Sequence, residues 1–182
     1  MQAKVNIRPN TYIYIVVLLF LIPLKWLLAW LLAAGFHELC HWIAVRLCGG
    51  EIYNVTIGLG GAKMECSPLS KGHQLFSLLC GPIGGLLPLL FARWLPRTVL
   101  CCWALSVYNL LPLLHLDGGR AMEILLGAKA AWAQRIFLIL LSLGVVYLSF
   151  ALGLGLLPIG LMLILWLKSR NTTCKPSLCK VQ

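Results

Sequence analysis

Four long apolar blocks, at about 11–47, 75–95, 98–117 and 134–167, decide what this chain can fold into. The second and third are each near the ~20 residues that one helix needs to cross the hydrocarbon of a bilayer. A soluble domain of 182 residues has too high a surface-to-volume ratio to hide blocks of this size. With 60% of residues hydrophobic, 11% charged and a mean hydropathy of +0.91, the chain needs lipid as its solvent.

The first and last blocks are too long for single spans, and each is interrupted. Pro23 and Lys25 break the first; Gly153, Gly155 and Pro158 break the last. Splitting both predicts an all-α polytopic membrane protein with about six transmembrane helices, near 10–24, 26–47, 75–95, 98–117, 134–151 and 154–168. The cations test that split. Twelve of the 15 Lys and Arg then fall on one side, and only Lys25, Arg93 and Arg97 on the other. Single spans for the long blocks would divide the charge almost evenly and put Lys25 in lipid. The positive-inside rule therefore predicts a multi-pass protein of the cell membrane with both termini cytoplasmic. Residues 1–35 could also be a secretory signal, but no small-x-small cleavage site follows the first apolar run, so a first span is expected. Residues 1–168 are expected to form one membrane domain, and 169–182 a short, polar, disordered cytoplasmic tail.

The net charge of +10 comes without a basic run interleaved with aromatics, so no direct nucleic-acid partner is expected; the bilayer is the partner that the charges fit. Eight cysteines lie mostly singly in apolar stretches, where a thiol behaves as a small hydrophobe. Neither the adjacent Cys101 and Cys102 nor the Cys174/Cys179 spacing makes a four-ligand zinc site.

Between the second and third helices the pattern changes. Residues 50–65 carry β-branched side chains and a glycine cluster at Gly58, Gly60 and Gly61. A short β-hairpin or re-entrant loop fits this, and so does an ordinary cytoplasmic loop. A hairpin here would present a strand edge, over 51–66, on which an unwound substrate could add as a strand.

The second helix carries the chemistry, in Gly35-Phe36-His37-Glu38-Leu39-Cys40-His41. Four residues on a helix turn through about 400°, so His37 and His41 share a face one turn apart. That spacing lets two imidazoles bind one Zn²⁺, whose bound water has a pKa lowered towards ~7. Glu38 sits beside the first ligand, placed to take that water's proton. Ionisable groups at the centre of a span cost ~2.5 kcal/mol or more each, which favours a function over chance; the structural alternative is a hydrogen-bonded cluster joining helices. A third protein ligand is needed. Asp117 is the favoured candidate, at the cytoplasmic end of the fourth helix and at a depth comparable with the histidines; His115 is the rival. Pro112 is expected to kink that helix, and Gly118 and Gly119 to relax its end and admit substrate backbone. Asn109 is a candidate donor to a developing oxyanion, or an interhelical hydrogen bond.

His37-Glu38-Leu39-Cys40-His41 together with Asn109-Leu-Leu-Pro112-Leu-Leu-His115-Leu-Asp117-Gly118-Gly119 resembles the site-2 protease family of intramembrane zinc metalloproteases. The second motif fits the family's N-x-x-P-x-x-x-L-D-G-G in full; Gly60-Gly61 and Gly81-Pro82 resemble further family features. Within the family the chain is most similar to the six-helix stage IV sporulation protease branch. The resemblance implies one zinc per chain held by His37, His41 and Asp117, with Glu38 as general base and acid and Asn109 assisting the oxyanion. It implies a membrane-protein substrate, such as a membrane-tethered transcription factor precursor, cut in regulated intramembrane proteolysis under a membrane inhibitor or regulator. That branch often carries a CBS domain; this chain stops at Gln182, so ATP regulation is not implied. Two other classes compete. A metal or proton transporter would need acids or histidines on several helices. A catalytically silent, client-binding relative would be expected to have lost Glu38 or Asp117.

Overall fold

The computed structural model describes residues 4–7, 16–58, 61–113, 116–153, six positions between 155 and 166, and 180–181. His115, Gly60, Cys174 and Cys179, with most of the expected sixth helix and tail, lie outside the described residues.

Residues 16–21 are helical, and the helix stops before Pro23, as the split of the first block predicts. Helix α1, Leu24–Leu47, follows at once; its 24 residues run about 36 Å at 1.5 Å per residue, ample for a bilayer. It is apolar on all sides, yet only one stripe is buried: Ala29, Ala33, His37, His41 and Val45 recur every fourth residue. The small alanines let neighbouring helices approach, and the same stripe carries the two histidines inward. Leu28, Trp30 and Leu32 on the other faces stay exposed, where lipid would cover them. Arg97 sits over the Trp26 ring near the start of α1 and Arg46 over Trp42 near its end, at 5.9 and 5.6 Å. Such cation–π pairs suit the two interfaces of a membrane.

Strands β2 (Ile52–Gly58) and β3 (Gly61–Cys66) form the antiparallel hairpin. Its base is seated by an apolar cluster of Val45, Ile52, Met64, Cys66 and Leu78, which ties it to α1 and to the next helix. The fold is therefore not purely helical, and the hairpin is not alone. Strand β1 (Lys4–Ile7) pairs parallel with β2, and β4 (Lys180–Val181) antiparallel with β3, giving the order β1-β2-β3-β4. Strand β1 thus pairs with residues 54–57 and β4 with Met64 and Glu65, so the edge expected over 51–66 is covered in part by the chain's own segments. Unpaired edge groups invite pairing with any extended chain, and β1 and β4 occupy these positions.

Helix α2, Lys71–Gly84, starts at Ser70, whose Oγ accepts from the His73 amide at 3.3 Å. A 3-10 turn, Leu87–Phe91, continues it. Helix α3, Pro96–Leu110, opens with proline at its first position, where no amide is missed. It ends seven residues before the expected position 117. Pro112 is the cause: it forces Leu111 into extended backbone, at φ −60° and ψ 138°, and so terminates the helix rather than kinking it. Asp117 is accordingly not at the end of that helix. It opens a separate one, α4, Asp117–Leu126, in a stretch expected to be a loop. After a 3-10 turn at Gly127–Lys129, helix α5 runs Ala130–Ala151. Gly153 and Gly155 then take positive φ, at 64° and 73°, and the Ser142 hydroxyl meets the Trp166 indole at 3.0 Å. The chain therefore doubles back along α5, as the break at these glycines predicts. Among the described residues, three helical stretches are long and apolar enough to cross a membrane: Leu24–Leu47, Lys71–Leu90 and Asp117–Ala151. The count of six spans goes beyond these three.

Candidate metal centre

His37 and His41 project from the buried stripe of α1, and Asp117 reaches them from the first turn of α4. All three are buried, with exposures of 5%, 0% and 2%. His37 Nε2, His41 Nε2 and Asp117 Oδ2 form a nearly equilateral triangle, with sides of 3.1, 3.1 and 3.2 Å. The third ligand expected from sequence, Asp117, is the one brought to the histidines, although from a different element than predicted.

Proton bookkeeping favours a cation at this triangle. His41 Nδ1 lies 2.7 Å from the Ser77 carbonyl oxygen, which can only accept, so Nδ1 carries a proton. In a neutral imidazole that leaves Nε2 as a bare lone pair, aimed at a carboxylate oxygen and at a second imidazole. Lone pairs facing one another at this distance repel unless a proton or a metal ion lies between them. Bonds of ~2.0–2.2 Å in tetrahedral arrangement separate donor atoms by about 3.3–3.6 Å, slightly more than the observed sides. Among the described residues, His37, His41 and Asp117 are the one group of three or more ligands placed to hold an ion. Two imidazoles and a carboxylate suit Zn²⁺ and leave a coordination position for water or substrate.

Glu38 is half-buried beside His37 and interacts electrostatically with His41. The Asn109 amide donates to the Leu105 carbonyl at 3.0 Å, one turn back in its own helix. One of its two N–H groups is thereby engaged within α3. At Gly118 and Gly119 the chain's own backbone comes close. A side chain at Gly118 would collide with the carbonyls of Leu110 and Leu111, and one at Gly119 with that of Leu113. The two glycines let α4 fold back tightly on the segment unwound by Pro112, which carries Asp117 to α1. Gln134, buried on α5, donates to the Gly119 carbonyl at 2.9 Å and fixes that start of α4 from the other side.

Two supports escaped the sequence reading. The Ser77 contact is made by backbone, which no side-chain pattern announces. Gln134 did leave a signal, as a lone amide at the edge of an apolar block.

No protein-family model and no curated protein sequence matches this chain. Among solved structures, the chain is similar to the Site-2 Protease from Methanocaldococcus jannaschii, with a TM-score of 0.64 and 17% sequence identity. The match covers 96% of this chain and 94% of that one. At this identity the likeness establishes a shared fold over nearly the whole chain.

Proposed function

We propose that this chain is a metal-dependent intramembrane endopeptidase that hydrolyses peptide bonds of membrane-embedded or membrane-tethered proteins. The observation that carries the proposal is the buried triangle of His37, His41 and Asp117, on a chain whose described residues include three membrane-length apolar helical stretches. The shared fold and the two motifs support it. When bound, Zn²⁺ supplies Lewis acidity, acidifying water and polarising the scissile carbonyl. The chain's own groups do the rest. The Glu38 carboxylate takes the proton of the attacking water and passes it to the leaving amine. Ser77 holds His41 in the tautomer whose Nε2 faces the centre. Asn109 keeps one N–H for a substrate carbonyl. A substrate strand adding at residues 54–57, or at Met64 and Glu65, would have to displace β1 or β4.

The finer parts of the reading rest on the motifs and the charge pattern. These are the zinc identity, a transcription-factor-type substrate under a membrane regulator, the likeness to the sporulation branch, six spans and cytoplasmic termini. A transporter would step its ion between several sites, whereas the described residues hold one such group. The test is cleavage in proteoliposomes of a labelled transmembrane segment, with and without a chelator. Loss of cleavage on chelation and its return with Zn²⁺ are expected; cleavage indifferent to the chelator would sink the proposal.

A further inference from the structure

The two histidines are not held alike. His37 Nδ1 is buried with no hydrogen-bond partner among the described residues, so that ring is positioned by its metal-facing nitrogen and by packing. His41 is gripped from outside the triangle, and both grips come from one face of α2. Ser77, whose carbonyl accepts from Nδ1, and Gly81 lie one turn apart, so they stack on the same side of that helix. A methyl group placed on Gly81 would fall on His41 itself, too close to Nε2 and Cε1 and 2.8 Å from Cδ2. Nearness to all three atoms at once puts that position over the ring face. In the ring plane along the Nε2 lone pair, both carbons would be over 3 Å away from a group touching the nitrogen. The backbone of Gly81 therefore forms a flat wall under the imidazole, and the lone pair is left clear.

We infer that Gly81 is a positioning residue for the metal ligand His41, acting with the Ser77 carbonyl as a clamp that fixes the plane and the rotation of its ring. A hydrogen bond at Nδ1 sets the tautomer and the direction of Nε2, but leaves the ring able to swing about that bond. A wall against one face removes the swing. Glycine is required because any Cβ would occupy the place of the ring. Neighbouring glycines on the seam do other work: a side chain at Gly84 would meet Cys40, which is no ligand, and one at Gly85 would meet Ser106 on α3. Among the described glycines, Gly81 is the one whose added side chain would meet the His41 ring.

The inference rests on reading the triangle as a metal site, and the experiment separates the two. Co²⁺ replaces Zn²⁺ in titrations of purified wild type, Gly81→Ala and Gly84→Ala, followed by the d–d absorption bands. Loss of an outer-shell partner typically weakens metal binding ~10–100-fold. Gly81→Ala should weaken Co²⁺ binding by about that factor and shift the bands, while Gly84→Ala binds as wild type does. No Co²⁺ binding by wild type would remove the metal reading itself. Wild-type binding by Gly81→Ala, or equal weakening by Gly84→Ala, would overturn the clamp and leave the metal site standing. A double-mutant cycle covers the case in which Gly81→Ala folds poorly. Thermal unfolding should show Gly81→Ala as costly in wild type but harmless in the His41→Ala background, where no ring meets the methyl. An undiminished cost there would equally overturn the inference.

Discussion

Asp117 is the residue on which the rest depends, because its carboxylate is the single formal negative charge among the three buried ligand groups. An unpaired carboxylate so placed would cost several kcal/mol, and a cation shared with two imidazoles offsets that cost. Asp117→Ala should therefore strip most of the metal, by more than the ~10–100-fold that loss of an outer-shell partner causes. His115→Ala should leave the metal in place. Metal analysis of the two purified variants checks this, and full occupancy in Asp117→Ala with loss in His115→Ala would reverse the assignment. At this scale much was legible in the sequence. The spacing of His37 and His41 on a helix dictates a common face, and burying ions in a span makes a chance occurrence expensive. The position of Asn109 was legible too, but not that its amide would turn back to Leu105. Side-chain choices between two nearby acceptors leave no mark on a sequence.

Among the elements, the elbow between α3 and α4 shows where the sequence reading failed and why. Apolar residues continue through 98–117, so hydropathy alone gives one helix to Asp117. Pro112 overrides it locally, because the residue before a proline is driven out of helical backbone. The sequence 117–126 then resumes as a helix of its own, with Asp117 in the first turn, where a negative charge suits the helix dipole. Gly118 and Gly119 make the elbow tight. Placing a methyl at Gly118 would press on the Leu110 and Leu111 carbonyls, which are backbone and cannot rotate away. Gly118→Ala should thus destabilise the protein by ~1–3 kcal/mol, as overpacking does, and loosen the metal as Asp117 moves. Thermal unfolding in detergent with metal content on the same samples checks it; an unchanged melting temperature would count against the elbow. The hairpin over 52–66 was half legible. Its β-branched residues and glycines favoured strands, but the pairing partners at residues 4–7 and 180–181 are distant in sequence and carry no comparable signal.

For the molecule as a whole, the solvent was legible from composition and the membership of the polar centre from its motifs, but not the separate helix that carries Asp117 to it. Apolar side chains on α1, α3 and α5 remain exposed, including Trp30, Trp103 and Tyr147, as a lipid-facing surface requires. The cations then predict which end faces the cytoplasm. Single cysteines on a cysteine-free background should label from outside near Lys25, and from the cytoplasmic side after residue 169. Labelling of the tail from outside would overturn the orientation. The fold shared with the Site-2 Protease from Methanocaldococcus jannaschii covers 96% of the chain. Whether the fold performs hydrolysis turns on Glu38. Gln matches Glu in size and can still hydrogen-bond water, but it cannot accept the water's proton. Loss of such a group typically slows a reaction ~10²–10⁴-fold. The deciding measurement is the length of a co-expressed membrane-tethered client, by immunoblot, in cells carrying wild type or Glu38→Gln, with metal content determined for both. The proposal predicts a shortened client with wild type and a full-length client with Glu38→Gln, at equal metal content; equal shortening by both would contradict it.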